Sequence, residues 1–307
     1  MRDDRKLVRY LRAAVDPVTY AARLERCALA RCGAPRAPVL LILGLPRSGT
    51  TLVYQYLVHR LRVAHLTNGV GRFYRAPCVT TWMQSRLHGE YRSDFRSDHG
   101  RVSGPLGPRE GGAFWARFFG YEDYGRFEDL DGDQVDVMRR TVACVQGAFD
   151  GAPFVNKNVK HLLRIDALAG VFPKAVFLVV ERDPSDVALS VYRSWLRHAH
   201  GPDAWWSARP PDVERLRRLP LVERVAGQLV SLRARLDADL ATLEPERVVR
   251  LAYEPFCDTP DRVIDELRPR LGNPRDRNPA AARFERSRGV PSGADEERLL
   301  RMVRDVV

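Results

Sequence analysis

Residues Gly44-Leu45-Pro46-Arg47-Ser48-Gly49-Thr50-Thr51 bring together two glycines, one strong cation and three hydroxyls. They follow the apolar run Val39–Leu43, and Leu52 to Leu61 then carry a helical apolar pattern. A strand, a glycine-containing turn and a helix N-terminus aim unpaired backbone N–H groups and the positive end of a helix dipole at one small volume. That chemistry is anion binding. The spacing from Gly44 to Gly49 fits a phosphate loop of the form GxxxxGK[ST], but Thr50 stands where the lysine belongs. Arg47 is the only strong cation in the loop, which steers the reading away from ATP or GTP chemistry.

A second group lies in the segment from Ala175 to Ser194. A buried apolar run ends at Glu181-Arg182, Pro184 makes a turn, and a helical pattern carries Ser190 eight residues after Arg182. The planar fork of Arg182 suits a phosphate at the sheet edge, and Ser190 can add a hydroxyl. The same residues also fit a plainer reading, in which Arg182 pairs with Asp183 or Asp186 and Ser190 fills space. Lys157 closes the apolar stretch Pro153-Phe154-Val155-Asn156-Lys157 and is one of four lysines in an arginine-dominated chain. A mobile point charge at a strand terminus suits a departing phosphate.

The two motifs, in this order and about 130 residues apart, resemble the sulfotransferases that use 3′-phosphoadenosine 5′-phosphosulfate (PAPS). The loop looks like the PRSGTT version of tyrosylprotein and many bacterial members rather than the PKSGTT version of the cytosolic small-molecule enzymes. The resemblance implies that Arg47, Ser48, Gly49, Thr50 and Thr51 hold the 5′-phosphosulfate and that Arg182 and Ser190 hold the 3′-phosphate. It also implies that Arg47 and Lys157 are catalytic cations and that no metal is used. Tyr253-Glu254, after the apolar Val249-Arg250-Leu251-Ala252, resembles the family's strand ending in Tyr-Glu, whose tyrosine lies near the adenine. Arg286-Ser287-Arg288-Gly289 looks like a degraded form of its late Arg-Lys-Gly loop, which brings in Arg288.

Sulfuryl transfer needs charge stabilised on the departing phosphate, an in-line acceptor and a group that takes the acceptor's proton. The family's bases do not carry over. Val159 stands where the cytosolic members have a histidine, and Thr67-Asn68 stand near the glutamate position of the tyrosylprotein type. Glu110 and His161 are then the leading candidates, Glu110 first, with His65 next and Asp94 and His99 behind. Glu110 sits in a glycine-rich turn that can set a carboxylate in a partly apolar pocket. His161 opens the helical stretch after Lys157, where a neutral imidazole is chemically suitable. Trp205-Trp206, Phe114-Trp115 and Phe118-Phe119 are candidates for an acceptor wall, although paired aromatics more often belong to a core.

The elements that must position these groups read as an α/β, P-loop-like three-layer fold with a central, mostly parallel sheet flanked by helices. The expected strands are Val39–Leu43, Phe154 to Asn156 running into Lys157, Ala175 to Glu181 and Val248 to Tyr253. Residues 1–307 are expected to form a single domain: a helical extension over 1–35, an α/β core over 36–270 and a C-terminal loop and helix over 271–307. Loops and short helices over 72–112 would wrap the site. The formal charge of +11 favours anionic partners. The basic side chains are spread along the chain rather than clustered, which speaks against nucleic acid. The five scattered cysteines suggest reduced thiols. No signal peptide or apolar membrane span is visible, which suggests a cytoplasmic enzyme without integral membrane association. The expected acceptor group is a hydroxyl, or an amine, of a small molecule or carbohydrate, and the expected enzyme is bacterial. The alternatives are a P-loop nucleotide kinase and a basic nucleic-acid-binding protein.

Overall fold

The computed structural model describes residues 17–87, 91–97, 100–120, 123–199, 204–281 and 283–304. Four strands, β1 (Val39–Leu43), β2 (Phe154–Lys157), β3 (Val176–Glu181) and β4 (Val248–Ala252), form one sheet in the order β2-β1-β3-β4. Every pairing is parallel. A parallel pair needs a long crossover, and the helices that make those crossovers cover both faces.

The first helices are α1 (Pro17–Arg31), α2 (Thr50–Arg60), α3 (Asn68–Arg72), α4 (Pro77–Leu87), α5 (Gly112–Phe119) and α6 (Gly132–Ala148). Between β2 and β3 lies α7 (Ile165–Val171), and between β3 and β4 lie α8 (Pro184–His198), α9 (Val213–Arg217) and α10 (Leu221–Leu240). The chain continues through α11 (Tyr253–Asp258), α12 (Arg262–Arg270) and α13 (Ala294–Val303).

The period of two along β1 divides its side chains between two cores. Val39, Leu41 and Leu43 join Met138 and Val142 of α6 and Val187 of α8. Leu40 and Ile42 join Tyr54 and Leu57 of α2 and Phe256 of α11. Burial of all five β1 residues explains why the strand reads as a continuous apolar run, and it produces the three layers that the sequence suggests. In an open parallel sheet ligands sit beyond the carboxyl ends of the strands, where neighbouring connections diverge. Here that point lies between β1 and β3, since the chain leaves β1 for β2 on one side and reaches β3 on the other. Register places Ile42 beside Lys157 and Glu181 beside Ala252, so Lys157, Arg182 and Tyr253 all emerge at one edge.

Three expectations are refined or corrected. Tyr253 opens α11 rather than ending a strand. The 72–112 segment contains the eleven-residue helix α4; its N-terminus is held by Glu25 of α1, whose buried carboxylate accepts the Cys78 and Val79 N–H groups at 3.0 Å each. The cysteines are not all reduced thiols. Cys32, just past α1, is disulfide-bonded to Cys144 of α6, with their Cα atoms 5.8 Å apart, while Cys27, Cys78 and Cys257 are free. Packing of α1 on α6 makes that approach, and no sequence spacing announces a partner 112 residues away.

Candidate active site

Two adjoining cavities lie at the carboxyl edge of the sheet, of about 380 and 180 Å³, and share Arg47, Arg182 and Ser287 as walls. The larger one begins at the loop after β1. Gly49 adopts φ +92°, in the left-handed region that favours glycine, and caps α2. A methyl group there would collide with the ring of Tyr253, its nearest atom 2.2 Å away, so glycine is required twice over. Arg47 also has positive φ, at 68°, a conformation uncommon for a side chain with a Cβ and frequent where a loop is built around a ligand.

The Arg47 guanidinium donates through Nε to Ser190 Oγ at 2.9 Å, and Arg182 Nη1 donates to the Arg47 carbonyl at 3.3 Å. The first loop and the second motif are thus hydrogen-bonded to each other. Burial, then the neighbouring Arg182 and Arg197, push the Arg47 pKa below its ordinary value. Arg182 is braced by Asp186 at 3.5 Å, by Ser287 Oγ at 3.2 Å, and by the ring of Tyr253, 4.9 Å from its guanidinium carbon. Arg182 therefore pairs with Asp186, as the plainer reading has it, and it also lines both cavities. Asp186 also accepts from the Gly289 N–H at 2.6 Å, which fastens the late loop to the start of α8. Glu254 accepts from the Asp183 N–H at 3.1 Å, so the Tyr-Glu pair supports the Arg182 turn.

On the other flank Lys157 forms an ion pair with Glu110 and donates to Thr51 Oγ1 at 3.2 Å. Glu110 is the one carboxylate on the wall of the larger cavity among the described residues. Its environment differs from the apolar pocket expected, because the Lys157 ammonium stands against it. The backbone around it is fixed by two asparagines. Asn156 Nδ2 donates to the Arg109 carbonyl and Asn158 Nδ2 to the Glu110 carbonyl, each at 3.2 Å.

The other proposed bases lie elsewhere. His161 belongs to a 3₁₀ turn, Val159–Leu163, and its side chain is fully buried. Its Nε2 meets Asn156 Oδ1 at 2.9 Å, and its ring stands edge-on to Trp115, 4.7 Å between centroids. Asn156 Oδ1 already accepts from Trp115 Nε1 at 3.0 Å, so Nε2 of His161 is the protonated nitrogen. Burial first, then Arg164 and Lys157, hold its pKa well below the ordinary value. The imidazole is neutral, as expected, but it is sealed beneath the site and positions Asn156 instead of touching the cavity. His65 is equally buried, bonded to the Leu106 carbonyl at 2.9 Å, and faces a separate cavity. Asp94 is exposed and accepts its own loop's Arg96 N–H at 3.0 Å. His99 lies outside the described residues.

Of the aromatic pairs, Phe114, Trp115, Phe118 and Phe119 are core, which corrects their candidacy as an acceptor wall. Trp205 packs on Trp195 at 5.2 Å, whereas Trp206 lines the larger cavity beside Leu52, Val159 and Ser207. The smaller cavity holds Arg288 together with two arginines that the sequence reading missed, Arg193 and Arg197. Their signal was available: both follow Ser190 on α8, at helical spacings of three and seven.

These residues fit an adenosine carrying phosphates at both ends. Arginines line both cavities, the loop opposite Tyr253 admits only glycine, and two buried polar atoms, Ser48 Oγ and Arg182 Nε, have no protein partner. Such orphans are costly unless a ligand or water satisfies them.

A model described as the Sulfotransferase family matches residues 38–277. The omega-hydroxy-beta-dihydromenaquinone-9 sulfotransferases Stf3 of Mycobacterium tuberculosis and Mycobacterium bovis are 27% identical over 157 residues, which is 50% of this chain and 38% of theirs. The match thus spans well under half the length of those curated relatives. Among solved structures, sulfotransferase STF1 from Mycobacterium tuberculosis superposes with a TM-score of 0.53 at 14% identity, over 83% of this chain and 72% of that one. Sulfotransferase STF9 from Mycobacterium avium gives 0.53 at 16%, over 93% and 74%. At such identity these likenesses establish the fold.

Proposed function

This chain belongs to the sulfotransferase family, and from that premise we propose that it transfers a sulfuryl group from PAPS to a hydroxyl of a small-molecule or carbohydrate acceptor. The observation that carries the reading is the Lys157–Glu110 ion pair beside Thr51, at the mouth of the glycine loop. It sets a cation and a carboxylate side by side where the departing phosphate and the incoming hydroxyl need one each.

The donor supplies an activated sulfuryl group on a phosphate leaving group. The chain supplies the rest. Arg47, the backbone amides of Ser48 to Thr51 and the α2 dipole hold the 5′ end, while Arg182, Ser190 and Arg288 hold the 3′-phosphate, with Arg193 and Arg197 adding positive charge. Tyr253, which packs against Gly49 and Arg182, is the residue this reading sets beside the adenine. As negative charge builds on the leaving oxygen, Lys157 turns toward it and releases Glu110. The freed carboxylate takes the acceptor's proton. Arg47, Lys157, Arg182 and Arg288 supply the positive charge that this reading asks for.

Leu52, Val159 and Trp206 give the acceptor side an apolar wall next to polar Ser207 and Glu110. That mixture supports an alcohol on a partly apolar body. The Stf3 relatives, whose name specifies a hydroxylated menaquinone derivative, favour a hydroxyl over an amine. We place the reaction in the cytoplasm. No helix among the described residues is long and apolar enough to cross a membrane. The test is transfer of label from ³⁵S-PAPS to a panel of alcohols, sugars and amines. Labelled product from alcohols with wild type, abolished by Lys157→Ala, supports the reading; the absence of any PAPS-dependent product sinks it.

A further inference from the structure

Five of the nine exposed large apolar side chains among the described residues, Leu24, Phe73, Trp82, Met83 and Leu87, come from one corner of the fold, the α1–α3–α4 unit. On α4, Trp82, Met83 and Leu87 fall within one outward arc at helical spacing, with Arg86 between them, while Pro77, Cys78 and Thr81 face inward and are buried. Leu24 lies beside Glu25, which caps α4, so it shares this corner. The basic side chains here are laid over aromatic rings: Arg72 over Phe73, Arg75 over Tyr74 and Arg86 over Trp82, each with its guanidinium carbon within 6.0 Å of the ring centroid. No aspartate or glutamate occurs anywhere between Glu25 and Glu90.

We infer that this face docks on a lipid surface rich in anionic headgroups. A helix face of Trp, Met and Leu inserts at the headgroup boundary, and arginines stacked beside the rings reach up to the phosphates. Charge complementarity selects the occupant, because α3, α4 and the turn between them carry exposed Arg72, Arg75 and Arg86 and no acidic side chain, which repels a basic partner and attracts an anionic leaflet. The apolar groups are exposed and line none of the cavities described above. The unit is also tied to the reaction centre. Asn68 Nδ2 donates to the Val102 and Gly104 carbonyls at 2.7 Å each. Arg109 Nη1 reaches Asn68 Oδ1 at 3.5 Å, next to Glu110. A docked surface therefore lies beside the segment that carries the proposed base. The docking itself does not depend on sulfuryl transfer.

The test is cosedimentation of the full chain with vesicles of phosphatidylcholine, with and without phosphatidylglycerol, at low and high salt. The expected result is partition onto phosphatidylglycerol vesicles that high salt weakens, with little on pure phosphatidylcholine. The double variant Trp82→Ser/Leu87→Ser should partition about tenfold less. Arg72→Gln/Arg75→Gln/Arg86→Gln should lose the preference for anionic lipid. All these residues are exposed, and an unchanged thermal melt verifies that the variants fold. Absence of partition onto anionic vesicles at low salt overturns the inference, as does wild-type partition by both variants. A concentration-dependent dimer in light scattering that Trp82→Ser/Leu87→Ser dissociates also overturns it, because a second copy then covers the face.

Discussion

Lys157 and Glu110 neutralise each other in the free site, so each is available only when the other is drawn away. That coupling makes the two side chains testable separately. Glu110→Gln keeps the shape and removes the base, so kcat should fall by about 10²- to 10⁴-fold while affinity for 3′-phosphoadenosine 5′-phosphate changes little. Near-normal turnover would remove Glu110 from the mechanism. A second prediction concerns His65. The unfolded chain takes up a proton there near pH 6.5, but in the folded chain burial lowers the pKa to about 4. Between those values the unfolded state binds more protons, so stability falls as the pH falls. The resulting destabilisation approaches about 3 kcal/mol as the pH nears the folded-state value of about 4. Denaturant melts from pH 7 to 4 should therefore have a shallower slope in His65→Gln than in wild type, and equal slopes would refute this. Arg47, Lys157 and Arg182 were legible because their types stand out at strand ends. The burial of His161 was not, because a 3₁₀ turn and an α-helix direct the same residue differently and the sequence leaves that choice open.

The glycine loop, the Arg182 turn and the late loop act as one unit at the level of elements. Gly49 is where they meet, against the Tyr253 ring that in turn stacks on Arg182. Gly49→Ala should cost about 1–3 kcal/mol of stability through its positive φ and displace Tyr253. Affinity for 3′-phosphoadenosine 5′-phosphate should drop by at least about tenfold, and calorimetry showing wild-type affinity would contradict the packing described. The chain just beyond the late loop is fastened to α13, since Glu296 accepts from the Ser292 N–H at 2.8 Å and from two nitrogens of Arg193 of α8 at 2.8 Å each. β1 and β3 were legible from their apolar runs because strands buried on both faces leave no polar alternation to confuse the pattern, whereas the edge strand β4 exposes Arg250. The late loop was only half legible. Arg288 could be named from its motif, but Arg193 and Arg197 lie on a different element, and only the approach of α8 to residues 287–289 joins them.

The whole molecule is tied across its layers by contacts distant in sequence. The Cys32–Cys144 disulfide closes a separation of 112 residues. Cross-links of that reach typically add about 2–5 kcal/mol by restricting the unfolded chain. Cys144→Ser should lower the denaturation midpoint accordingly, and reducing agent should do the same to wild type alone; identical midpoints would show that the cross-link contributes nothing. The net charge of +11 pointed to anions without saying which, since charge count carries no geometry. The fold supplies it by gathering Arg47, Arg182, Arg193, Arg197 and Arg288 around two adjoining cavities. A kinase and a nucleic-acid-binding protein would each use that charge differently. The most direct test is therefore a thermal-shift titration with 3′-phosphoadenosine 5′-phosphate, ATP and adenosine 5′-phosphate, with and without magnesium. Strong stabilisation by the bisphosphate alone, indifferent to magnesium and lost in Arg182→Ala, is the predicted result. Stabilisation by ATP with magnesium, and none by the bisphosphate, would contradict it.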